Sequence, residues 1–309
     1  MLIVFLCILI SPAASIAAGE TVLPILGRET IPQTGENKVR FPCLTPPAED
    51  IIDLGLTRKN AWSLPEQALS AAFLDTIKIL VLRFNFQYET ADNPNSTGRG
   101  RINTLDPFAT PADSAAYYDS VGHLVDPPPH NSNYFDAHMR ALRKYYETVS
   151  EGKLTLSWDI FPPAPESAYT LPQPMGYYGQ CNFDSVVIGL ENYFVDCINV
   201  ADSVSPQIVF SNYRSVFLFH AGSDRQNDIG FPETCNDLFT GFISFGDSVV
   251  VDSGAAFVRS ALLLPETASQ DNRGTALNAV IAHEFGHQLG LVDLYSTRNF
   301  LSQLGDFEL

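Results

Sequence analysis

The sequence predicts an α/β fold, a mixed twisted sheet packed on helices. Three observations carry that expectation. Residues 77–86 (Ile-Lys-Ile-Leu-Val-Leu-Arg-Phe-Asn-Phe) form a near-continuous apolar run, which suits a strand buried on both faces. Phe135, Met139, Leu142, Tyr145, Tyr146 and Val149 recur at helical spacing, and so do Phe183, Val186, Val187, Leu190, Phe194 and Cys197. Between these helices Leu154, Leu156, Trp158 and Ile160 alternate with polar residues, the pattern of a half-buried strand. Strands and helices alternating along a chain pack as layers.

The remaining elements follow in chain order. Residues 2–10 are apolar but too few to cross a bilayer, which takes about 20 residues. Small residues follow, and Ser15-Ile16-Ala17 or Ile16-Ala17-Ala18 suits a signal peptidase. Residues 1–18 therefore read as an export signal, although no Lys or Arg precedes the apolar run. Residues 19–75 read as an N-terminal extension or pro-segment, rich in Pro at first; Ser63-Leu-Pro-Glu66 is a capping box opening a short helix. The catalytic unit is expected over 76–309. Residues 89–132 are crowded with Asp, Asn, Pro, Ser and Gly and read as a long loop, with a glycosylation sequon at Asn95-Ser-Thr97. Gly152 ends the first long helix. Val216–Phe219 reads as a strand ending at His220, Gly241–Phe245 and Val249–Val251 as two short strands, and residues 256–264 as an edge strand of the sheet. Thr275 through Leu289 is the last helix.

Composition narrows the partners. With 18 basic against 35 acidic residues, the net charge is -17, which argues against nucleic acid and anionic membranes and leaves protein or peptide substrates for a soluble monomer. The acidity also leaves room for calcium. Once the signal is removed, Cys43, Cys181, Cys197 and Cys235 remain, an even set that favours disulfides in an exported chain. Cys181 and Cys197 are not expected to pair with each other. The helix between them is about 24 Å long, and disulfide partners need their Cα atoms within about 7 Å.

The chemistry lies in residues 283–293, His-Glu-Phe-Gly-His-Gln-Leu-Gly-Leu-Val-Asp. Four residues apart on a helix, His283 and His287 share a face and can aim two imidazoles at one zinc ion. Glu284 lies close enough to reach a water on that ion. Zinc brings such a water's pKa towards about 7, and Glu284 would take its proton and hand it to the leaving amine. Gly290 suits a left-handed turn at the helix end. That turn would bring Asp293 under the metal as third ligand. Leu277, Val280 and Ile281 supply the apolar stripe that buries the helix.

The stretch His283–Tyr295 (HEFGHQLGLVDLY) resembles the active-site helix of the immune inhibitor A type of secreted zinc metallopeptidases, relatives of the metzincins. YYETVSEGKLTL at 145–156, YTLPQPMGYY at 169–178 and VFLFHAG at 216–222 share the family's cadence, so the resemblance covers about residues 76–309. It implies a zincin-like catalytic domain with the active-site helix near the C-terminus, a zinc endopeptidase acting outside the cell, and synthesis as a zymogen. By position, Glu284 takes the family's catalytic role, and His283, His287 and Asp293 its metal-binding roles. There is one departure. The family's Gly-Asp/Asn-aromatic-acid-Leu-Met run begins here as Gly305-Asp-Phe-Glu-Leu309, and the chain ends where the methionine would stand. The expectation is a fragment whose lower subdomain is incomplete.

Other residues carry blander readings. His220 is expected as an interior or rim residue, and His123, His130 and His138 as solvated. Asp224, Asn227 and Asp228 offer oxygens for calcium but lack the helix-loop-helix spacing, so a solvated loop is expected. Cys43, in Arg40-Phe-Pro-Cys43, reads as a disulfide partner more readily than as a thiolate blocking the zinc. Leu262–Leu264 and the residues before it either take up an extended substrate by strand addition or form an interior strand. A non-catalytic exported binding module is the rival to the peptidase reading, and another zinc hydrolase is a third.

Overall fold

The computed structural model describes residues 39–40, 75–106, 110–228, 230 and 233–291. Among them the strands are β1 (Val39–Arg40), β2 (Asp75–Asn85), β3 (Leu154–Phe161), β4 (Tyr169–Thr170), β5 (Ser215–His220), β6 (Gly241–Val251) and β7 (Ala256–Pro265). The helices are α1 (Pro111–Val121), α2 (Ser132–Val149), α3 (Met175–Tyr178), α4 (Phe183–Val204) and α5 (Leu277–Gln288). The seven strands form one mixed sheet in the order β1-β6-β7-β5-β2-β3, with β4 also pairing β2. Strands β2, β3, β4, β5 and β7 run parallel, whereas β6 is antiparallel to β7 and β1 to β6.

The apolar run at 77–86 lies inside this sheet, as its composition requires. β2 pairs with β3 on one side and β5 on the other, and Ile77, Ile79, Leu80, Val81, Leu82 and Phe84 are all fully buried. Helices cover both faces. Phe219 of β5 meets Phe135 of α2 at 4.7 Å between ring centroids, and Phe217 meets Phe285 of α5 at 5.8 Å. One residue on, His220 points to the opposite face, where its ring lies 5.9 Å from that of Tyr193 on α4. On that face Phe194 of α4 also stacks on Phe245 of β6, 4.0 Å away. The result is a mixed α/β architecture with α2 and α5 on one side of the sheet and α4 on the other. Among the described residues no helix is long and apolar enough to cross a membrane.

Three sequence expectations need correction. Residues 89–132 are not one continuous loop, because α1 lies within them. Its Thr110 accepts from the Asp113 N–H at 3.2 Å while Asp113 Oδ2 accepts from the Thr110 N–H at 3.0 Å, and Gly122 closes the helix at φ 74°. This helix is made by its caps, without the apolar stripe that periodicity detects. The two short strands expected near 241–245 and 249–251 are one strand, β6, interrupted by a register shift between Ser244 and Val249. Residues 256–264 are not at an edge. β7 pairs with β5 through Phe217–Leu262, Leu218–Leu263 and Phe219–Leu264, and with β6 on its other side, so strand addition at Leu262–Leu264 has no open edge. The capping box at 63–66 and Cys43 lie outside the described residues.

Candidate metal centre

The helix α5 is placed by contacts at both ends. Its N-cap residue, Ala276, offers no side-chain oxygen, and the Leu277 N–H is taken instead by Asp126 Oδ2 at 2.7 Å. A carboxylate at this end also meets the positive pole of the helix dipole. The far end closes as expected at Gly290, at φ 87°. Leu291 N–H donates to Gly286 O at 3.0 Å and Gly290 N–H to His287 O at 2.9 Å, the paired bonds of a Schellman turn. Leu277, Val280, Ile281 and Phe285 are buried on the sheet side.

This placement brings His283 and His287 together. Their Nε2 atoms are 3.1 Å apart and their rings cross at 84°. His287 Nδ1 lies 3.0 Å from Leu291 O, an acceptor delivered by the Schellman turn. Donation there leaves the lone pair of neutral His287 on Nε2, facing His283. Glu284 Oε2 accepts the Phe242 N–H at 2.8 Å, which ties the carboxylate to the first turn of β6. From the other side, Tyr146 of α2 donates its hydroxyl to Ala282 O at 2.7 Å and packs edge-on against Phe285 at 5.1 Å. At Gly286 an added Cβ would stand 3.2 Å from that hydroxyl, a tight contact to which Tyr146 would have to yield by a few tenths of an ångström. Ser215 donates to Gln288 Oε1 at 2.6 Å and fixes the last turn to β5.

The two described imidazoles are spaced as two ligands of one zinc ion would be. Two nitrogens each about 2.0–2.1 Å from a tetrahedral ion stand about 3.3 Å apart, close to the 3.1 Å found here. His283, Glu284 and His287 are 6%, 1% and 2% exposed, a dry setting in which charge interactions are strong. Among the described residues no group of three or more His, Cys, Asp and Glu side chains is placed so that it could hold a metal ion. Asp293, the expected third ligand, and the run Gly305–Leu309 lie outside the described residues. A cleft of about 760 Å³ opens between residues 97–105 and 266–272, and Asp126 and His130 line it while His283, Glu284 and His287 do not.

Other sequence candidates fall elsewhere. His220 is interior, as expected, with Nδ1 2.9 Å from Ala221 O and burial pushing its pKa down to about 4. His130 and His138 are not solvated. His130 Nδ1 lies 2.7 Å from Glu266 Oε2 and Nε2 3.2 Å from Asp126 O. His138 Nδ1 lies 2.5 Å from Asn278 Oδ1, and burial holds its pKa below the ordinary range despite Asp126 nearby. Tyr134 stands between the two rings, 4.3 Å from one and 4.4 Å from the other. Tyr134 and His138 stand one turn apart on α2, whereas His130 precedes the helix and lies outside that pattern. His123 is partly exposed and accepts the Val125 N–H at 3.3 Å.

Cys181 pairs with Cys235 across a Cα separation of 4.7 Å, and Cys197 is a buried thiol, so the even count did not mean that every cysteine pairs. Asp224 accepts from the backbone and side chain of Asn227, while Asp228 accepts from Thr234 and Gly230; the three residues weighed for calcium do not converge. No known family model matches this chain, and no curated protein matches it.

Proposed function

We propose that this chain is an exported zinc endopeptidase of the immune inhibitor A type, hydrolysing peptide bonds of proteins outside the cell. The observation that carries the reading is the buried pair of imidazoles, Nε2 to Nε2 at 3.1 Å, with Glu284 held beside it. A mixed sheet whose last described element is this helix is what a zincin-like catalytic domain over 76–309 needs. His283 and His287 would hold the ion, with Asp293 as the third ligand. Zinc, when bound, supplies a Lewis acid that polarises the scissile carbonyl and acidifies water.

The protein's own residues do the rest. Glu284 takes the proton of the attacking water and delivers it to the leaving amine. Phe242, whose N–H grips Oε2, keeps that carboxylate at the start of β6. An extended substrate would pair with the outer edge of β6 rather than with β7, whose two edges are filled. Val39–Arg40, within the expected pro-segment, already adds there as an antiparallel strand opposite Ser244 and Phe245. Together with the near-burial of the histidines, this supports a latent precursor in which residues 19–75 compete with substrate.

The test is casein cleavage by the purified protein, with and without a zinc chelator, set against Glu284→Ala. Loss of the general base lowers the rate by about 10²–10⁴-fold, and the chelator abolishes cleavage. Turnover unchanged by the substitution removes the mechanism. The rival binding module predicts bound zinc with no turnover in the unmodified chain.

A further inference from the structure

Behind Thr97, three segments meet around oxygens that have no partner among the described residues. The Thr97 N–H donates to Asp237 Oδ1 at 2.7 Å, and the Thr97 hydroxyl accepts the Ser223 N–H at 2.6 Å. A parallel bridge between Asp224 and Leu238 sets the preceding residues, Ser223 and Asp237, side by side. Asp237 is 1% exposed and Ser223 2%, and among the described residues neither Asp237 Oδ2 nor Ser223 Oγ has a hydrogen-bond partner. Native proteins rarely leave buried polar atoms so, because a lost partner costs the full desolvation of the group. Moving a proton onto Oδ2 does not help, since the new O–H would need an acceptor in the same place.

The surroundings favour a hard cation. Residues 222–240 contain four acids (Asp224, Asp228, Glu233 and Asp237) against one arginine. Asp224 is fully buried, and its charge acts on Asp237, whose pKa burial pushes up to about 7. The Thr97 and Thr234 hydroxyls lie against the same Asp237 carboxyl group. Calcium accepts six to eight oxygens in flexible geometry, carboxylate and neutral mixed, whereas magnesium demands a near-ideal octahedron.

We propose that Asp237 Oδ2 and Ser223 Oγ anchor a calcium site that joins the segments around Thr97, Ser223 and Asp237. This site is separate from the zinc reading and does not rest on it. It braces the loop that leaves β5 and enters β6, with Asp237 five residues before the Phe242 N–H that holds Glu284.

The experiment is calorimetric titration of the full chain, freed of metal with EDTA and dialysed, with calcium chloride as the probe. Thermal unfolding is measured with and without calcium. The expected result is one calcium per chain and a Tm raised by about 5 °C or more at saturation. Asp237→Asn should weaken binding at least tenfold and remove the Tm shift, and Ser223→Ala should weaken it severalfold. His287→Ala should bind calcium as the parent does, which separates this site from the zinc centre. If Asp237→Asn does not fold, Ser223→Ala decides. Absence of binding by the parent overturns the proposal. So does parental affinity in the Ser223 variant, the mark of an adventitious ion only, or loss of calcium binding with His287→Ala.

Discussion

Two sets of histidines, His283 with His287 and His130 with His138, are placed in different ways. His283 and His287 meet because an α-helix repeats every 3.6 residues, so their 3.1 Å contact is almost wholly local. His130 and His138 instead find partners far along the chain. Glu266 and Asn278 lie 136 and 140 residues away from them respectively. The first set needs only a helix, whereas the second needs the finished fold. What one sequence discloses follows this division between local and long-range placement.

Glu266 is where the contrast should break most visibly. Its carboxylate accepts the Gly222 N–H at 2.7 Å and the Asn103 N–H at 2.8 Å, and it meets His130 at 2.7 Å. Glu266→Ala orphans two buried groups and the Asn103 N–H and should cost about 3–5 kcal/mol of stability by denaturant titration. Zinc stoichiometry should stay intact wherever the variant is folded. A loss under 1 kcal/mol would show that the His130 cluster does not organise the loops.

His220 separates burial from pairing. The folded protein keeps its ring neutral down to about pH 4, whereas the unfolded chain protonates it near pH 6.5. Acid therefore favours unfolding across that window, by about 3 kcal/mol at its lower end. Stability measured from pH 7 to 4 should fall more steeply for the parent than for His220→Asn. Parallel curves would mean that His220 titrates normally.

Tyr146→Phe probes how local the imidazole pair is. Losing the bond to Ala282 O should cost about 1 kcal/mol, yet change zinc affinity by less than about threefold if the helix alone sets the contact. A larger change would make α2 a partner in metal binding.

The same division separates the elements that the sequence discloses from those it hides. β3, α2 and α4 are legible because one buried face imposes a period on a short segment, and β2 and β5 because burial on both faces imposes an apolar run. The helix α1 was missed because its evidence is a Thr-Pro-Ala-Asp cap at 110–113 and no stripe. β7 was misplaced at an edge because nothing in Leu262–Leu264 records that β6 doubles back beside it. In the site, His283, Glu284, His287 and Gly290 were legible from spacing. Leu291 O behind His287 comes from the turn at Gly290, whereas Phe242 N–H on Glu284 and Asp126 on the helix start come from other elements, about which spacing is silent.

The most direct measurement is the zinc content of the purified full chain after equilibration with zinc and removal of excess, compared with His283→Ala and His287→Ala. The account predicts one zinc per parent chain and near-complete loss in either variant, with circular dichroism unchanged. A folded parent that holds no stoichiometric zinc, or variants that keep it, would contradict the account.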